Sequence, residues 1–288
     1  MLKIKTPATS GNLSVGFDSA GLAINIYNTF FFETSKEDVL IGFLDTFKND
    51  NLVIKAYRDC ALKFIDGSKI QPVKIELKQN DIPYSRGLGS SATCILAGVI
   101  ASNHLNRLGL SFKNCVNLAC ELEGHLDNVY TCAYGGLTTS LKDGDDYIHQ
   151  TIDVAKSLHF YMLIPDVKGQ TKLLRKLLPK KVLLEDAVFN LSRMPFLIEA
   201  MKQGDFLTLK KVMKDKLHEP YRYHTLPLYD DLNQLSKHDD LIVAISGSGP
   251  SILLISKDEQ VNIPKKLLKH YKLVPVNVSD GTQVEVIK

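Results

Sequence analysis

Early in the chain the apolar residues fall at strand spacing. Leu22 to Phe32 carries Ile24, Ile26, Tyr27, Phe30 and Phe32 in loose alternation and predicts a β-strand. Asn51 to Ile65 puts Val53, Tyr57, Cys60 and Phe64 on one helical face. Val73, Ile75 and Leu77 then alternate with Lys74, Glu76 and Lys78, a half-buried strand that Asp81-Ile82-Pro83 ends. A helix is predicted from the segment Gly87 to Ala92 to about Leu108. It is apolar on nearly every side, through Ile95, Leu96, Val99 and Ile100, and so must be buried. Ser111 reads as the N-cap of a second helix that ends near Gly124. Leu137 to Leu141, the turn Lys142-Asp143-Gly144-Asp145 and the strand from Tyr147 form a hairpin, and Leu158 to Ile164 is a continuous β-like run.

Pro165-Asp166-Val167-Lys168-Gly169 is a natural break, near which a second lobe begins. That lobe opens with helices over Leu183 to Gln203, kinked at Pro195, and Leu207 to Leu217. Strands follow at Leu241 to Ile245 and Ile252 to Ser256, with Ser246 to Pro250 between them. A helix near Pro264 to His270 and two last strands close the chain. Helices and strands in such blocks predict an α+β fold in place of a regular βαβ repeat. The expected division is residues 1–155, an N-terminal domain, and residues 156–288, a C-terminal one.

Composition narrows the class of function. The chain has 288 residues, and its 44% hydrophobic and 23% charged content is that of an ordinary globular protein. Lys and Arg number 35 against 32 Asp and Glu, a net charge of +3. That balance argues against a nucleic-acid partner, which calls for a basic stripe. No apolar run approaches the length of a membrane span. Met1-Leu2-Lys3-Ile4-Lys5 meets Thr6-Pro7 with no signal-type apolar region, so the expected location is cytoplasmic, with no membrane partner. Five cysteines, at positions 60, 94, 115, 120 and 132, form no Cys-x-x-Cys and read as reduced thiols.

Gly87-Leu88-Gly89-Ser90-Ser91-Ala92 is the least ordinary segment. Its glycines let backbone approach a bulky ligand, and its serines stand at the mouth of a buried helix whose first N–H groups attract an anion. Phosphate fits best, with Ser90 or Ser91 able to ligate Mg2+. A plain N-cap needs only one serine. Gly87-x-Gly89-x-x-Ala92 also fits a dinucleotide fingerprint, but a second helix follows where a strand should. There is no Walker P-loop, no protein-kinase motif set, and His218-Glu219 lacks the second histidine of a zinc protease. Three more segments are polar: Thr9 to Asp18, which alone reads as a turn-rich loop; Glu121 to Asn128, which alone reads as a solvated helix end or a metal-binding carboxylate group; and Ser246 to Ser251, which alone reads as a hairpin loop.

Together the four segments resemble the GHMP kinases, and within them the homoserine kinase family. Pro7-Ala8-Thr9-Ser10-Gly11-Asn12-Leu13-Ser14-Val15-Gly16-Phe17-Asp18 is similar to the family's P-A-T-S-A-N-L-G-x-G-F-D. Pro83 to Thr93 matches its phosphate loop, and Glu123 to Val129 its E-G-H-P-D-N-V with Leu126 in place of Pro. Thr171, Arg175, Leu178 and Pro179 match T-x-x-x-R-x-x-L-P, and Ser246 to Ser251 matches the last loop. The order is the family's, and the matches run from residue 7 to 251. Gly11 and Ser14 replace the family's Ala and Gly, and Tyr130-Thr131-Cys132 its Ala-Pro-Ala.

The resemblance implies a ribosomal-S5-like N-terminal lobe, a ferredoxin-like C-terminal lobe, ATP and Mg2+ as cofactors, L-homoserine as substrate in threonine biosynthesis, and a homodimer. It implies that Pro83, Tyr84, Ser85, Arg86, Gly87, Leu88, Gly89, Ser90, Ser91, Ala92 and Thr93 cradle the triphosphate. Mg2+ would take Ser90 or Ser91 with an acidic partner, Glu121 before Glu123. Asn12, Asp18 and Asn128 would bind the amino and hydroxyl ends of homoserine, with Asp18 beside the ammonium. Arg175 and Arg222 would grip its carboxylate, and Thr171 would orient Arg175 or touch the substrate. An amide cannot take a proton, so Asn128 implies direct attack, catalysed by positioning and charge, with Asp127 the alternative base.

Overall fold

Strand β2, Ala20–Thr34, is fifteen residues long and organises the first sheet. This computed structural model describes residues 1–44, 50–169 and 171–287, without the side chains of residues 171 and 172. On one side of β2 lies β1 (Leu2–Gly11), antiparallel along its length, with a register shift between Pro7 and Ala8 where proline cannot donate to the ladder. On the other side β2 pairs at Ala20 to Leu22 with β5 (Leu137–Asp143) and from Asn28 to Thr34 with β4 (Val73–Asn80). β6 (Asp146–Ile152) completes the expected hairpin with β5, and β3 (Val39–Ile41) runs parallel to β4.

Helices α1 (Leu52–Leu62), α2 (Ser90–Leu105), α3 (Phe112–Glu123) and α4 (Asp127–Tyr134) share one apolar core with this sheet, where Phe30, Phe32 and Ile75 meet Val53, Leu96 and Val99. Asn51 Oδ1 caps α1 by accepting from Val53 N–H at 3.0 Å, and Ser111 caps α3 as expected. Because α1 stops at Leu62, Phe64 leaves the predicted face and is 51% exposed. The segment 121–128 is more than a solvated helix end. Gly124 terminates α3, and Asp127 starts α4, an element the apolar pattern did not announce.

The second sheet holds β7 (His159–Pro165), β8 (Leu241–Ile245), β9 (Ile252–Ser256) and β10 (Tyr271–Val276), all antiparallel in the order β10-β7-β9-β8. That spatial order is the ferredoxin-like one. Between β7 and β8 run α5 (Thr171–Lys176), α6 (Leu184–Gln203), α7 (Phe206–Val212), α8 (Glu219–Arg222) and α9 (Tyr229–Leu235); α10 (Lys265–Leu268) precedes β10. α6 continues through Pro195 without a break in helix. α7 ends at Val212 instead of Leu217, and beyond it Asp215 Oδ2 accepts the backbone N–H groups of Leu217, His218 and Glu219. The last strand, β11 (Gln283–Val286), crosses back to the first sheet and pairs with β1. Leu13, Leu22 and Ile24 pack with Phe160, Met162 and Leu253 in a core common to both sheets. Among the described residues no helix is long and apolar enough to cross a membrane.

Candidate active site

Helix α2 begins at Gly89, in the left-handed region at φ 68°, with no side chain capping its first turn. The uncapped N–H groups of a buried helix, with Gly87, Ser90 and Ser91, line an open cleft. The loop before the helix is fastened from behind. Thr9 N–H donates to Leu88 O at 3.1 Å, Ser251 N–H to Arg86 O at 3.2 Å, and Gly169 N–H to Ser85 O at 2.7 Å. Ser246 Oγ donates to Gly87 O at 2.7 Å. Arg86 turns its guanidinium onto three carbonyls, those of Tyr84 at 2.8 Å, Pro165 at 2.9 Å and Asp166 at 2.6 Å, so its side chain holds the loop. Most of the Ser246 to Ser251 loop is likewise a buttress; Gly247 and Ser248 alone of it reach the cleft wall.

Pro83, Ala92 and Thr93 lie behind the cleft wall. Ala92 is wholly buried in the helical core, and Thr93 Oγ1 donates to Ser90 O at 2.8 Å within its own helix.

Across the mouth of α2, Ser91 Oγ donates to Glu123 Oε2 at 2.6 Å. Loss of solvent pushes the Glu123 carboxyl up to about 7, against the lowering effect of Ser91. Glu121, the first choice for metal binding, is displaced from this position. Two residues apart on a helix point to opposite sides, and Glu121 is exposed, paired with Lys63 Nζ of the α1 C-terminal end at 2.5 Å. Among the described residues no three His, Cys, Asp or Glu side chains come close enough to form a metal cage. A hydroxyl and one carboxylate are hard oxygen donors that suit Mg2+ shared with a nucleotide's phosphates, the usual partial protein coordination of that ion.

At the other end of the cleft a chain of hydrogen bonds ties the Thr9 to Asp18 segment to α4. Thr9 Oγ1 donates to Asn128 Oδ1 at 2.8 Å, and Asn128 Nδ2 donates to Asp127 Oδ2 at 3.1 Å. Asn12 N–H donates to the same carboxylate oxygen at 3.0 Å, and Asp18 N–H to Asn12 Oδ1 at 3.0 Å. Asn12, Ser14 and Asp18 all hold left-handed backbone, the strain expected of a loop shaped for a ligand. A Cβ on Gly11 would lie 2.4 Å from Asp127 Oδ2, so this chain's Gly in place of the family's Ala lets the carboxylate pack against β1. Asp127 is 2% exposed; burial, then the Asp18 charge, push its pKa up to about 6.

Arg175, from α5, forms a two-pronged ion pair with Asp18. Arg222, from α8, is 2% exposed and so is no surface charge. Both guanidinium carbons sit 5.7 Å from the Phe17 ring centroid, which spaces the two cations apart. The cleft thus gathers Asn12, Asp18, Asp127, Asn128, Arg175 and Arg222 with the phosphate loop, Ser90, Ser91 and Glu123. Thr171's side chain lies outside the described residues. His125, which follows Gly124 within the Glu-Gly-His signature, also lines the cleft, as do Phe43, Asn51, Leu52 and Cys94. His125 was legible from that signature; Phe43, Asn51 and Leu52 come from segments remote from the motifs in sequence and carry no local signal, and Cys94 follows the phosphate loop directly in α2.

The profile of the GHMP kinases N terminal domain matches residues 51–136. A homoserine kinase of Clostridium botulinum is 38% identical over 270 residues, 93% of this chain and 90% of the relative. The crystal structure of a homoserine kinase from Cytophaga hutchinsonii superposes with a TM-score of 0.82 at 28% identity, over 99% of this chain and 97% of that one. A mevalonate diphosphate decarboxylase from Enterococcus faecalis superposes at 0.71 with 16% identity over 99% and 98% of the two chains, a likeness of fold alone.

Proposed function

The chain belongs to the homoserine kinase family of the GHMP kinases, and we propose that its cleft transfers the γ-phosphoryl group of ATP to the hydroxyl of L-homoserine, a step of threonine biosynthesis that yields O-phospho-L-homoserine and ADP. The observation that carries the acceptor is the placing of two arginines and a carboxylate around Phe17 at one end of the cleft. An α-amino acid carries one ammonium and one carboxylate. Asp18 and Arg175, which pair with each other, match those two charges, and Arg222 adds a second cation for the carboxylate.

The triphosphate occupies the mouth of α2, where helix N–H groups and loop backbone offset its charge. Ser91 and Glu123, with Ser90 beside them, would hold Mg2+, which would supply charge neutralisation to the phosphates. The substrate hydroxyl attacks the γ-phosphorus, and the bond from that phosphorus to the oxygen bridging to the β-phosphate breaks as ADP leaves. Asn128, an amide that cannot take a proton, accepts from Thr9 at Oδ1 and donates to Asp127 from Nδ2. Asp127, whose carboxyl is pushed up to about 6, stands in the wall beside Asn128 at the acceptor end and is able to receive the hydroxyl proton at neutral pH.

A coupled ADP-release assay against homoserine, mevalonate and shikimate tests the reading. Turnover is expected with homoserine alone; equal turnover with an acceptor lacking the ammonium would overturn it. Arg175→Lys keeps the charge and loses the planar fork, so the homoserine KM is expected to rise about ten- to a hundredfold with the ATP KM unmoved. An unchanged homoserine KM removes Arg175 from the carboxylate site.

The homodimer expected of the family is supported by apolar residues left exposed on α6, among them Leu184 at 81%, Leu191 at 71% and Phe196 at 61%. Sedimentation at twice the chain mass is expected, and Leu184→Glu with Leu191→Glu should return it to the monomer. A monomer from the outset sinks this assignment.

A further inference from the structure

His218 is wholly buried between the two segments that build the acceptor end of the cleft, yet it lines no part of the cleft itself. Its Nδ1 lies 3.0 Å from Arg222 Nη1, and its Nε2 lies 2.8 Å from Ser14 O. A guanidinium has only donors, and a carbonyl only accepts. Nδ1 must therefore carry the lone pair and Nε2 the proton, so both contacts select the same tautomer of the neutral ring. Asp215 Oδ2 is 3.8 Å from Nε2, too far for a hydrogen bond, and is occupied by three backbone N–H groups that fix residues 217–219. Asn190 Nδ2 holds the other oxygen of Asp215 at 2.6 Å. Phe17 stacks on the imidazole at 5.3 Å between centroids and 23° between planes.

We propose that His218 is a positioning residue for the acceptor, holding Arg222 by Nη1 so that the Nε–Nη2 edge of the guanidinium faces the substrate's carboxylate. Among the described residues, both side-chain hydrogen bonds of Arg222 leave from Nη1, to His218 and to Gly247 O at 3.3 Å. Among the same residues Nε is buried without a partner. Nε and Nη2 form one of the two edges by which a guanidinium takes both oxygens of a carboxylate. The same ring secures Ser14, whose left-handed backbone at φ 52° lies in the loop that carries Asn12 and Asp18. One imidazole thereby sets the carboxylate-binding group against the loop that meets the ammonium. Burial keeps the ring uncharged, with the Arg222 cation acting the same way against the pull of Asp215. A second ring proton would face Nη1 donor to donor.

The inference rests on the reading of Arg222 as a carboxylate holder, and the two are separable by experiment. An asparagine amide oxygen falls near the place of Nδ1, whereas a glutamine amide reaches the place of Nε2. Steady-state kinetics of His218→Asn, His218→Gln, Arg222→Met and the His218→Gln/Arg222→Met pair, with thermal midpoints for each, make the test. His218→Gln keeps the tie to Ser14 and loses the acceptor for Nη1; its homoserine KM is expected to rise about tenfold or more, as loss of a charged hydrogen bond does, with kcat and the ATP KM within about twofold. His218→Asn retains the acceptor and should stay within about threefold of the parent in homoserine KM, well below the effect of His218→Gln. In the Arg222→Met background His218→Gln should add nothing. Equal losses in both histidine variants, tracking a common fall in thermal midpoint and extending to the ATP KM, overturn the proposal. Additive losses in the double variant overturn it while sparing Arg222. An unchanged homoserine KM in Arg222→Met overturns the Arg222 reading, and the proposal with it.

Discussion

Glu123→Gln is expected to lower turnover of Mg-ATP by about 10²- to 10³-fold, as removal of one group aimed at the reacting charge does, while Glu121→Gln stays within about twofold. The two residues stand two apart in the last turn of α3, and their surroundings separate them. Glu123 faces the cleft and accepts from Ser91, whereas Glu121 faces solvent and Lys63. Gln keeps the size and one acceptor oxygen, so the fold should persist, with an unchanged circular dichroism spectrum. The effect has a pH signature. A carboxyl pushed up to about 7 is half protonated at neutral pH, and Mg2+ must compete with that proton. Ionisation is complete above the shifted value and lost below it, so the Mg2+ concentration giving half-maximal rate should rise as pH falls from 8 to 6. A flat dependence over that range would remove Glu123 from metal binding.

Gly87→Ala is expected to cut kcat/KM for ATP by about 10²-fold, as does misplacement of a catalytic loop by about an ångström. Gly87 has φ 74°, and a Cβ there would lie 2.3 Å from Ser246 O and 2.8 Å from Gly249 O. Both are backbone atoms, so no rotamer relieves the clash. The loop must lift from its buttress, and the left-handed backbone itself costs about 1–2 kcal/mol for a residue with a side chain. The homoserine KM should change far less than the ATP constant. A kcat/KM for ATP close to that of the parent would show that the two glycine-rich loops need not dock.

Those two glycine-rich loops show what a sequence can disclose. Gly87 to Ser91 was legible because unusual backbone and a buried helix leave a local composition. That Ser246 to Ser251 supports the other loop from behind was not, since both roles ask for the same small residues. Choosing between Glu121 and Glu123 required knowing which side of α3 faces the sheet. α3 is apolar at Cys115, Val116, Leu118 and Ala119, a face broad enough to leave both ends of the last turn ambiguous. Arg222 was named from the sequence, but the role of His218 was not: it lies beyond the predicted end of a helix that stops early, because Asp215 takes up backbone N–H groups a longer helix would need. No periodicity registers such a substitution of side chain for backbone. β2 was legible because its apolar residues face a core along most of its length, whereas β1 was not: its Thr9 to Gly11 end is polar and reads as a loop, and only the pairing with β2 makes it a strand.

The pairing of β11 with β1 bears on how the molecule is made. A ribosome delivers residues 2–5 long before their partners, Gln283–Val286. In the interval the outer rim of β1 offers free N–H and C=O groups to any extended segment nearby, the commonest route by which sheets join the wrong neighbour. Lys3 and Lys5 put charge on that rim and discourage such company. The bonds between Met1 and Ile287, in both directions at 3.1 and 2.9 Å, then seal it. The outer edge of the first sheet is therefore closed by a strand made only after the whole second lobe.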